Sequence, residues 1–386
     1  MIDMEIRHKG IIPFRCLSFK EVIDLTGLLC PDYNILGGKK NMSLTYKEIK
    51  DQYQRLSKTN QYLDERMNEI VTAIDAHDCV IYMGCGSSYS LAKSYAATTM
   101  TQINKKSMAI PAGDVLLRPA AYKILFENSL IVAISRSGAT SEILMALKEL
   151  KKEQVQFDLI SISCTTQSPL SEMSHLALEL PWTFDESVCQ TSAITNMYYT
   201  GQYILAHCAK NEKMISALRN MLSDGDAFLE RYENKCKEIA DLPWDFGVTL
   251  ADSDISGVCE EGSLTFKEIC QLPSNHYPVL DVRHGPIVVF NEKTLILVAV
   301  SNVDSPLERN LILDLMKKNA KVITISDVPL PIEGTWNFHL GKPTHYCVLG
   351  MLLLNAAQMI TYYKAMVLKV NPDEPTGLDA WINLEK

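Results

Sequence analysis

The sequence lacks metal-site spacing. Its eleven cysteines run from Cys16 to Cys347 without one Cys-x-x-Cys pair, and its eight histidines form no His-x-His or His-Glu-x-x-His group. Neither a structural zinc site nor a zinc-hydrolase motif is therefore expected, and no metal. An odd cysteine count in a chain of 386 residues also fits poorly with a disulfide framework. The cysteines read as reduced thiols and the setting as cytoplasmic. Positive charge is short as well: 37 Lys plus Arg stand against 46 Asp plus Glu, a formal net charge of -9. Such a surface repels polyphosphate backbones, so no nucleic-acid partner is expected, and an anionic ligand must be held by local donors. The first 30 residues mix charges into every short apolar run, which argues against a signal peptide. The strongest candidate for a membrane span is YCVLGMLLLNAAQMITYY, Tyr346 to Tyr363. It contains Asn355, Gln358 and Thr361 and barely reaches the roughly 20 residues a span needs. It reads as a core or subunit-interface helix, and no membrane partner is expected.

What remains is globular: 47% of the residues are hydrophobic and 22% charged, in a length that suits two domains. Residues 1–44 read as an N-terminal extension ending near Gly-Gly-Lys-Lys-Asn, with Met42 as an alternative start. SLTYKEIKDQYQRLSKTNQYLDERMNEIVTAI then reads as a charged amphipathic helix. From residue 78 the pattern becomes strand, glycine turn, helix. Val80–Met83 leads into Gly84-Cys85-Gly86-Ser87-Ser88 and a small-residue helix; Leu130–Ser135 leads into the turn Arg136–Thr140 and an amphipathic helix from about Ser141. FDLISISC adds a further strand. Strands alternating with helices of this length predict βαβ units and a parallel sheet.

The pair VAIS (132–135) and LISIS (159–163) is echoed by VAVS (298–301) and VITIS (322–326), and FGVTL stands where the strand before Gly84 would recur. The fold expected is α/β, two tandem domains, each a parallel sheet flanked by helices in a three-layer α-β-α sandwich. The first spans 45–213, the second 214–386 with a C-terminal helix and tail. The copies diverge at one turn. The first has Ser-Arg-Ser-Gly-Ala-Thr; the second has Ser-Asn-Val-Asp-Ser-Pro.

Ser135, Ser137 and Thr140 place three hydroxyls on a turn between a buried strand and a helix start, where free N–H groups and the helix dipole favour an anion. Gly138 permits close backbone approach. Gly86, Ser87 and Ser88 occupy the equivalent strand end, at the carboxyl edge where open α/β sheets bind ligands. Neither turn has the Gly-Lys-Ser/Thr of a nucleotide phosphate loop, and Tyr89 replaces the third glycine of a dinucleotide fingerprint. Helix capping alone would explain one such turn; two in one sheet point to a phosphate monoester. In the second half, Glu260 to Glu268 opens a helix, with Glu261 and Glu268 on one face two turns apart. A carboxylate there is a candidate general base. Arg283 and His284 sit in a tight turn before a strand, where an imidazole can move protons on oxygen.

In the same order and at similar spacing, GCGSSYSLA, ISRSGATSE, EEGSLTFKEI and VRHGP resemble the motifs of the tandem sugar-isomerase (SIS) domain family. The resemblance is to the isomerase half of glucosamine-6-phosphate synthase, to the tagatose-6-phosphate ketose/aldose isomerase (galactosamine-6-phosphate deaminase) group and to the fructosamine-6-phosphate deglycases. It covers roughly residues 45–386 and implies that Ser88, Ser135, Ser137 and Thr140 hold the sugar phosphate, with Arg136 where the synthase has Gln. It further implies that Glu268 transfers the C1–C2 proton and that His284 assists ring opening. In the family this histidine can come from a neighbouring subunit, so a homodimer or homotetramer is implied. DESVCQTSAITNM resembles the family's hydroxyl-rich helix start, making Thr191 and Ser192 sugar contacts. No cofactor is implied.

Three departures bear on the reaction. The chain shows no cysteine-nucleophile glutaminase domain ahead of these motifs, so glutamine-dependent synthesis is not expected. Thr265 stands where the synthase has a lysine three residues before the base, and Ala380 where its tail lysine falls; Lys267 or Arg283 are the substitutes. The implied function is a phosphosugar isomerase or deaminase using Glu268 on a sugar or amino-sugar 6-phosphate. A fructosamine-6-phosphate-type deglycase is the alternative, and a sugar-phosphate-binding regulator without catalysis the second. A DNA-binding regulator is disfavoured because residues 1–70 show no basic recognition helix.

Overall fold

Ten strands and eleven α-helices are assigned among the described residues of the computed structural model, which are 43–379 and Leu384. The proposed start at Met42, most of the N-terminal extension and Ala380 lie outside them. The opening helix α1 (Leu44–Asp75) starts where the Ser43 hydroxyl accepts from the Tyr46 N–H. Ile49, Tyr53, Leu56, Leu63, Met67, Ile70 and Ile74 recur at three-, four- and seven-residue steps and are all buried.

There follow β1 (Cys79–Gly84), α2 (Ser87–Gln102), β2 (Lys106–Pro111), α3 (Ala112–Leu117), α4 (Pro119–Phe126), β3 (Ser129–Ser135), α5 (Ser141–Lys152), β4 (Phe157–Ser163), α6 (Pro169–Met173), β5 (Leu176–Glu179) and α7 (Ser192–Cys208). The long α8 (Glu212–Ala240) leads to β6 (Phe246–Leu250), α9 (Ser256–Glu268), β7 (Ser274–Tyr277), β8 (Thr294–Ala299), α10 (Pro306–Met316), β9 (Lys321–Ser326), β10 (Trp336–His339) and α11 (Tyr346–Leu368). Two five-stranded sheets result, β2-β1-β3-β4-β5 and β7-β6-β8-β9-β10, with the same order of strands. Every paired strand is parallel, Val132 standing opposite both Tyr82 and Ile160, and Ile296 opposite both Val248 and Val322.

The alternation of side chains along a strand divides the core. On β3, Leu130, Val132 and Ile134 join the large cluster with α1 and α7, whereas Ile131 and Ala133 meet Ile143, Leu147 and Leu150 of α5. On β8, Leu295, Leu297 and Ala299 enter that same large cluster, while Ile296 and Val298 meet Leu311, Ile312 and Leu315 of α10. One face of each sheet thus drains into a shared core, and helices cover the other. The apolar α11 is the one helix among the described residues long and apolar enough to cross a membrane, and 83% of its most apolar window is buried inside the fold. Its Asn355 and Gln358 are hydrogen-bonded to α1 and to Thr191, the pairing that polar groups need in a core.

Candidate active site

The first turn leaves β3 at Ser135 and enters α5 at Ser141. Within it the Gly138 N–H donates to the Ser135 hydroxyl (3.1 Å), the Ala139 N–H donates to the Ser137 hydroxyl (3.2 Å), and the Ser135 and Thr140 hydroxyls lie 2.7 Å apart. Its donors are thus held by hydroxyls, which can rotate to donate to an arriving anion. Gly138 has φ +62, and a Cβ there would stand 2.2 Å from the Ser168 hydroxyl, so this position requires glycine. Arg136 is buried and directed away from solvent: its Nη1 donates to the carbonyls of Ser187 (3.3 Å) and Val188 (3.1 Å), and its guanidinium lies over the Phe184 ring.

The second turn, at the end of β1, has Gly86 at φ +52 with open space around it, and Ser87 and Ser88 are buried in the first turn of α2. Across from it lies α9. Gly257 brings that helix close enough that a Cβ would meet the Ser90 carbonyl at 2.0 Å, and the Val258 N–H donates to the Ser94 hydroxyl at 2.9 Å. The approach carries the Ser87 hydroxyl to the carboxyl of Glu261, where it favours the charged form.

The helix α9 begins at Ser256 and ends at Glu268, so Glu260 to Glu268 closes it rather than opening it; the start falls earlier because the β6 strand passes directly through a short 3-10 turn, Ser253–Ile255, into the helix. Glu268 therefore sits where the helix dipole is negative, which disfavours a charged carboxylate. Burial pushes its pKa up to about 7 against the opposing charges of Arg136 and Lys267. Burial, and then the neighbouring Glu268, push Glu261 well above the usual carboxylate range. Glu261 is 1% exposed and its Oε2 has no hydrogen-bond partner. Lys267 is exposed, donates to the Ser263 hydroxyl at 3.3 Å, and is lowered by burial of its stem against the pull of Glu260, Glu268 and Glu261. Thr265 is buried, its hydroxyl donating to the Gly262 carbonyl.

Thr191 and Ser192 are buried at the start of α7, the Thr191 hydroxyl without a partner. Two acids hold their loop. Asp185 accepts the N–H groups of Thr191 and Ala193, each at 2.8 Å, and pairs with Arg55 at 3.2 Å. Glu48 accepts the N–H groups of Glu186 and Ser187 and the Ser187 hydroxyl. Burial, with the charge of Glu48, pushes Asp185 up to about 7, and burial raises Glu48 too. Because Ser187 and Val188 are the residues whose carbonyls hold Arg136, one clamp from α1 fixes both the guanidinium and Thr191.

The structure thus brings together Ser87, Glu261, Glu268 and Arg136. It does not bring in the other two. Arg283 forms a two-pronged contact with Asp314 of α10 (3.1 and 2.8 Å), and His284 is exposed. Among the described residues no hydrogen bond or ion pair joins either to Glu261 or Glu268, nor is any cluster of three His, Cys, Asp or Glu side chains placed to hold a metal ion.

A family model, the SIS domain, matches residues 74–206. Residues 74–206, about a third of the chain, carry a SIS domain. Its span holds β1–β5 and both Gly/Ser turns; Glu261 and Glu268 come from beyond the matched residues. The glutamine–fructose-6-phosphate aminotransferase (isomerizing) of Pyrobaculum aerophilum is 24% identical over 354 residues, covering 88% of this chain and 57% of that protein. That of Methanocaldococcus jannaschii is 23% identical over 355 residues, covering 88% of this chain and 31% of that protein. The chain therefore spans between about a third and somewhat over half of these curated relatives. Among solved structures, glucosamine-6-phosphate deaminase of Thermotoga maritima superposes with TM-score 0.71 at 26% identity, over 88% of this chain and 99% of that one. Tagatose-6-phosphate ketose/aldose isomerase of Escherichia coli gives TM-score 0.75 at 20% identity, over 91% and 98%. The α/β fold of two parallel sheets flanked by helices is shared with both.

Sequence reading of the SIS domain and its successor missed Glu48, Arg55, Asp185, Cys189 and Gln358. Asp185 carried a usable signal, an acid shortly ahead of a helix start. Glu48 and Arg55 carried none, because their partners lie more than a hundred residues away. Cys189 is buried within the fields of Glu268, Arg136 and Glu261, and burial raises its thiol. Gln358 donates from α11 to the Thr191 carbonyl at 3.0 Å, leaving its Oε1 unpaired.

Proposed function

We propose that the chain is a phosphosugar isomerase or deaminase acting on a sugar or amino-sugar 6-phosphate. The observation that carries this is the packing of α9, with Glu261 and Glu268, against the Ser87 turn at the end of β1; burial pushes Glu268 up to about 7 against the charge of Arg136, the second residue of the other turn. A base with that pKa is matched to proton transfer at neutral pH. The phosphate sits in the turn of Ser135, Ser137 and Thr140, with Ser87 and Ser88 of the neighbouring turn beside it. Thr191 and Ser192 meet the sugar hydroxyls. Glu268 removes the proton from C2 of the open-chain aldose and returns it to C1, while O2 loses a proton and O1 gains one. With nitrogen at C2 the same step gives an enolamine and then an imine, which water cleaves to ammonia and a ketose phosphate. Release of an amine from a glycated substrate begins with the same kind of transfer, and this keeps the deglycase reaction as the alternative.

His284 is exposed among Leu280, Val288 and Val289, which are 40%, 72% and 59% exposed. We place a second copy of the chain on this surface, its site completed by His284 in ring opening; the nine described cysteines, all free, suit the cytoplasm. The three-layer sandwich and the division into domains at 45–213 and 214–386 belong to this reading.

The test is proton NMR in D2O with glucosamine, galactosamine, tagatose, fructose and fructosamine 6-phosphates, with ammonia and free amine measured in parallel. Deuterium should enter C1 or C2 of one substrate, and Glu268→Gln should stop it while binding persists. Binding without exchange for any substrate would make the chain a sugar-phosphate sensor.

A further inference from the structure

The segment that follows α11 ties three parts of the molecule together. Pro372 and Pro375 are buried and Leu378 packs against the large core cluster, so residues 371–378 lie against the fold. Asp373 is their anchor. Its carboxylate accepts the Leu44 N–H (3.0 Å), the Thr45 N–H (2.8 Å) and the Thr45 hydroxyl (2.8 Å) at the start of α1, where unpaired N–H groups and the positive end of the helix dipole favour an anion. The Asp373 carbonyl accepts the Val188 N–H at 3.0 Å. Three residues on, the Thr376 carbonyl accepts from the Gln271 side chain at 2.7 Å, and Gln271 stands just past the end of α9 at Glu268.

These contacts close a loop around one charge pair. Val188 gives its N–H to Asp373 and its carbonyl to Arg136. The neighbouring Ser187 is held by Glu48 of the same helix that Asp373 caps. Arg136 and Lys267 both favour the charged form of Glu268, while Glu261 and Glu268 oppose one another. Lys267 and Glu261 are carried by α9 and move with Glu268. Arg136 is carried by the turn after β3, so its approach to Glu268 depends on what holds Val188.

Resting on the reading of Glu268 as the base of a sugar-phosphate enzyme, we propose that Asp373 is a positioning residue: by fixing residues 371–378 across the start of α1, the Val188 loop and the end of α9, it sets how closely the Arg136 guanidinium stands to Glu268. Without the anchor Val188 loses a partner, Arg136 stands off, and Glu268 keeps its proton to higher pH.

The experiment is the pH profile of kcat/KM with glucosamine, galactosamine, tagatose, fructose or fructosamine 6-phosphate, whichever takes up deuterium in D2O. In Asp373→Ala the acid limb should move from about pH 7 to about pH 8. At pH 7 kcat/KM then falls about fivefold, and at pH 9 it returns to within about twofold of the wild type. Asp373→Asn keeps a side-chain acceptor for α1 and should stay near the wild-type limb. Ser43→Ala removes the other cap of α1, the acceptor of the Tyr46 N–H; it should lower the melting temperature and leave the limb in place. An unmoved limb in Asp373→Ala, or an equal movement in Ser43→Ala, overturns the proposal. If Asp373→Ala does not fold, Gln271→Ala decides: Gln271 is exposed, its loss frees the far end of the segment, and the limb should move the same way by a smaller step. No movement there overturns the proposal as well. If the wild type exchanges no substrate, the sugar-phosphate reading falls and this proposal with it; if it exchanges one and the limb stays in the variants, only this proposal falls.

Discussion

The two sheets have the same strand order, and each ends its third-position strand in a short turn before a helix, five residues (136–140) in the first and six (300–305) in the second. The difference lies in what fills the turn. After β8, the carboxylate of Glu308 accepts from the Ser301 N–H (2.8 Å), the Ser301 hydroxyl (3.0 Å) and the Asn302 N–H (3.1 Å), and is 7% exposed. The second cradle already holds an anion, and the anion is the protein's own. After β3, the acid at the same place, Glu142, stays out of the turn; its Oε2 is unpaired, and the donors are met by Ser135 and Ser137. A hydroxyl yields to a phosphate where a covalently attached carboxylate does not. On the proposed reading the first sheet binds the phosphate, and the second contributes α9 with its two acids.

Glu268→Gln tests that division most severely. Turnover should fall by on the order of a thousandfold or more with phosphate-ester affinity retained, which separates reacting from binding. In the wild type, kcat/KM should fall about tenfold per pH unit below pH 7, because the base must be deprotonated and burial holds its pKa near 7. An acid limb near pH 4 would mean that Glu268 is not the base.

Gly138→Ala comes next. It forces a side chain into φ +62 and against Ser168, and affinity for a sugar phosphate should drop on the order of a hundredfold by calorimetry. The paired changes Ser135→Ala and Ser301→Ala sharpen the contrast: the first should weaken binding about tenfold, the second by less than about twofold.

Glu308→Ala empties the second cradle. Stability should fall by about 1–3 kcal/mol in urea, and inorganic phosphate should restore part of it. The same phosphate concentration should do less for a destabilised variant with Glu308 in place.

The most gradual effect concerns the clamp beside the first turn. Asp185 is raised to about 7, so the folded chain holds a proton there that the unfolded chain has released above about pH 4. Its contribution to stability is therefore greatest below pH 4 and is lost as pH rises toward 7, at no more than about 1.4 kcal/mol per unit. Asp185→Asn should flatten that slope between pH 5 and pH 7.5. A slope unchanged in the variant would place the titration elsewhere.

The sequence made the central strands and the turns legible because each is a continuous apolar run followed by Gly and Ser, as at VAIS before Arg136. The edge strands were not legible. KSMAIP, LALE, SNHY and WNFH are short and mixed, and β2, β5, β7 and β10 form because a neighbouring strand offers a ladder. At the site, Ser135 and Glu268 could be read from local pattern. The clamp of Glu48, Arg55 and Asp185 could not, since it exists only where α1 meets the loop before α7. The filled cradle stood half in view: Ser-Asn-Val-Asp-Ser-Pro marked the second turn as different, but nothing local said that Glu308 would fold back into it.

The most direct test of this division of labour is the stoichiometry of glucitol 6-phosphate binding by calorimetry. One ligand per chain is predicted, lost in Gly138→Ala and kept in Ser301→Ala. Two ligands per chain, or one that survives Gly138→Ala and disappears with Ser301→Ala, would contradict it.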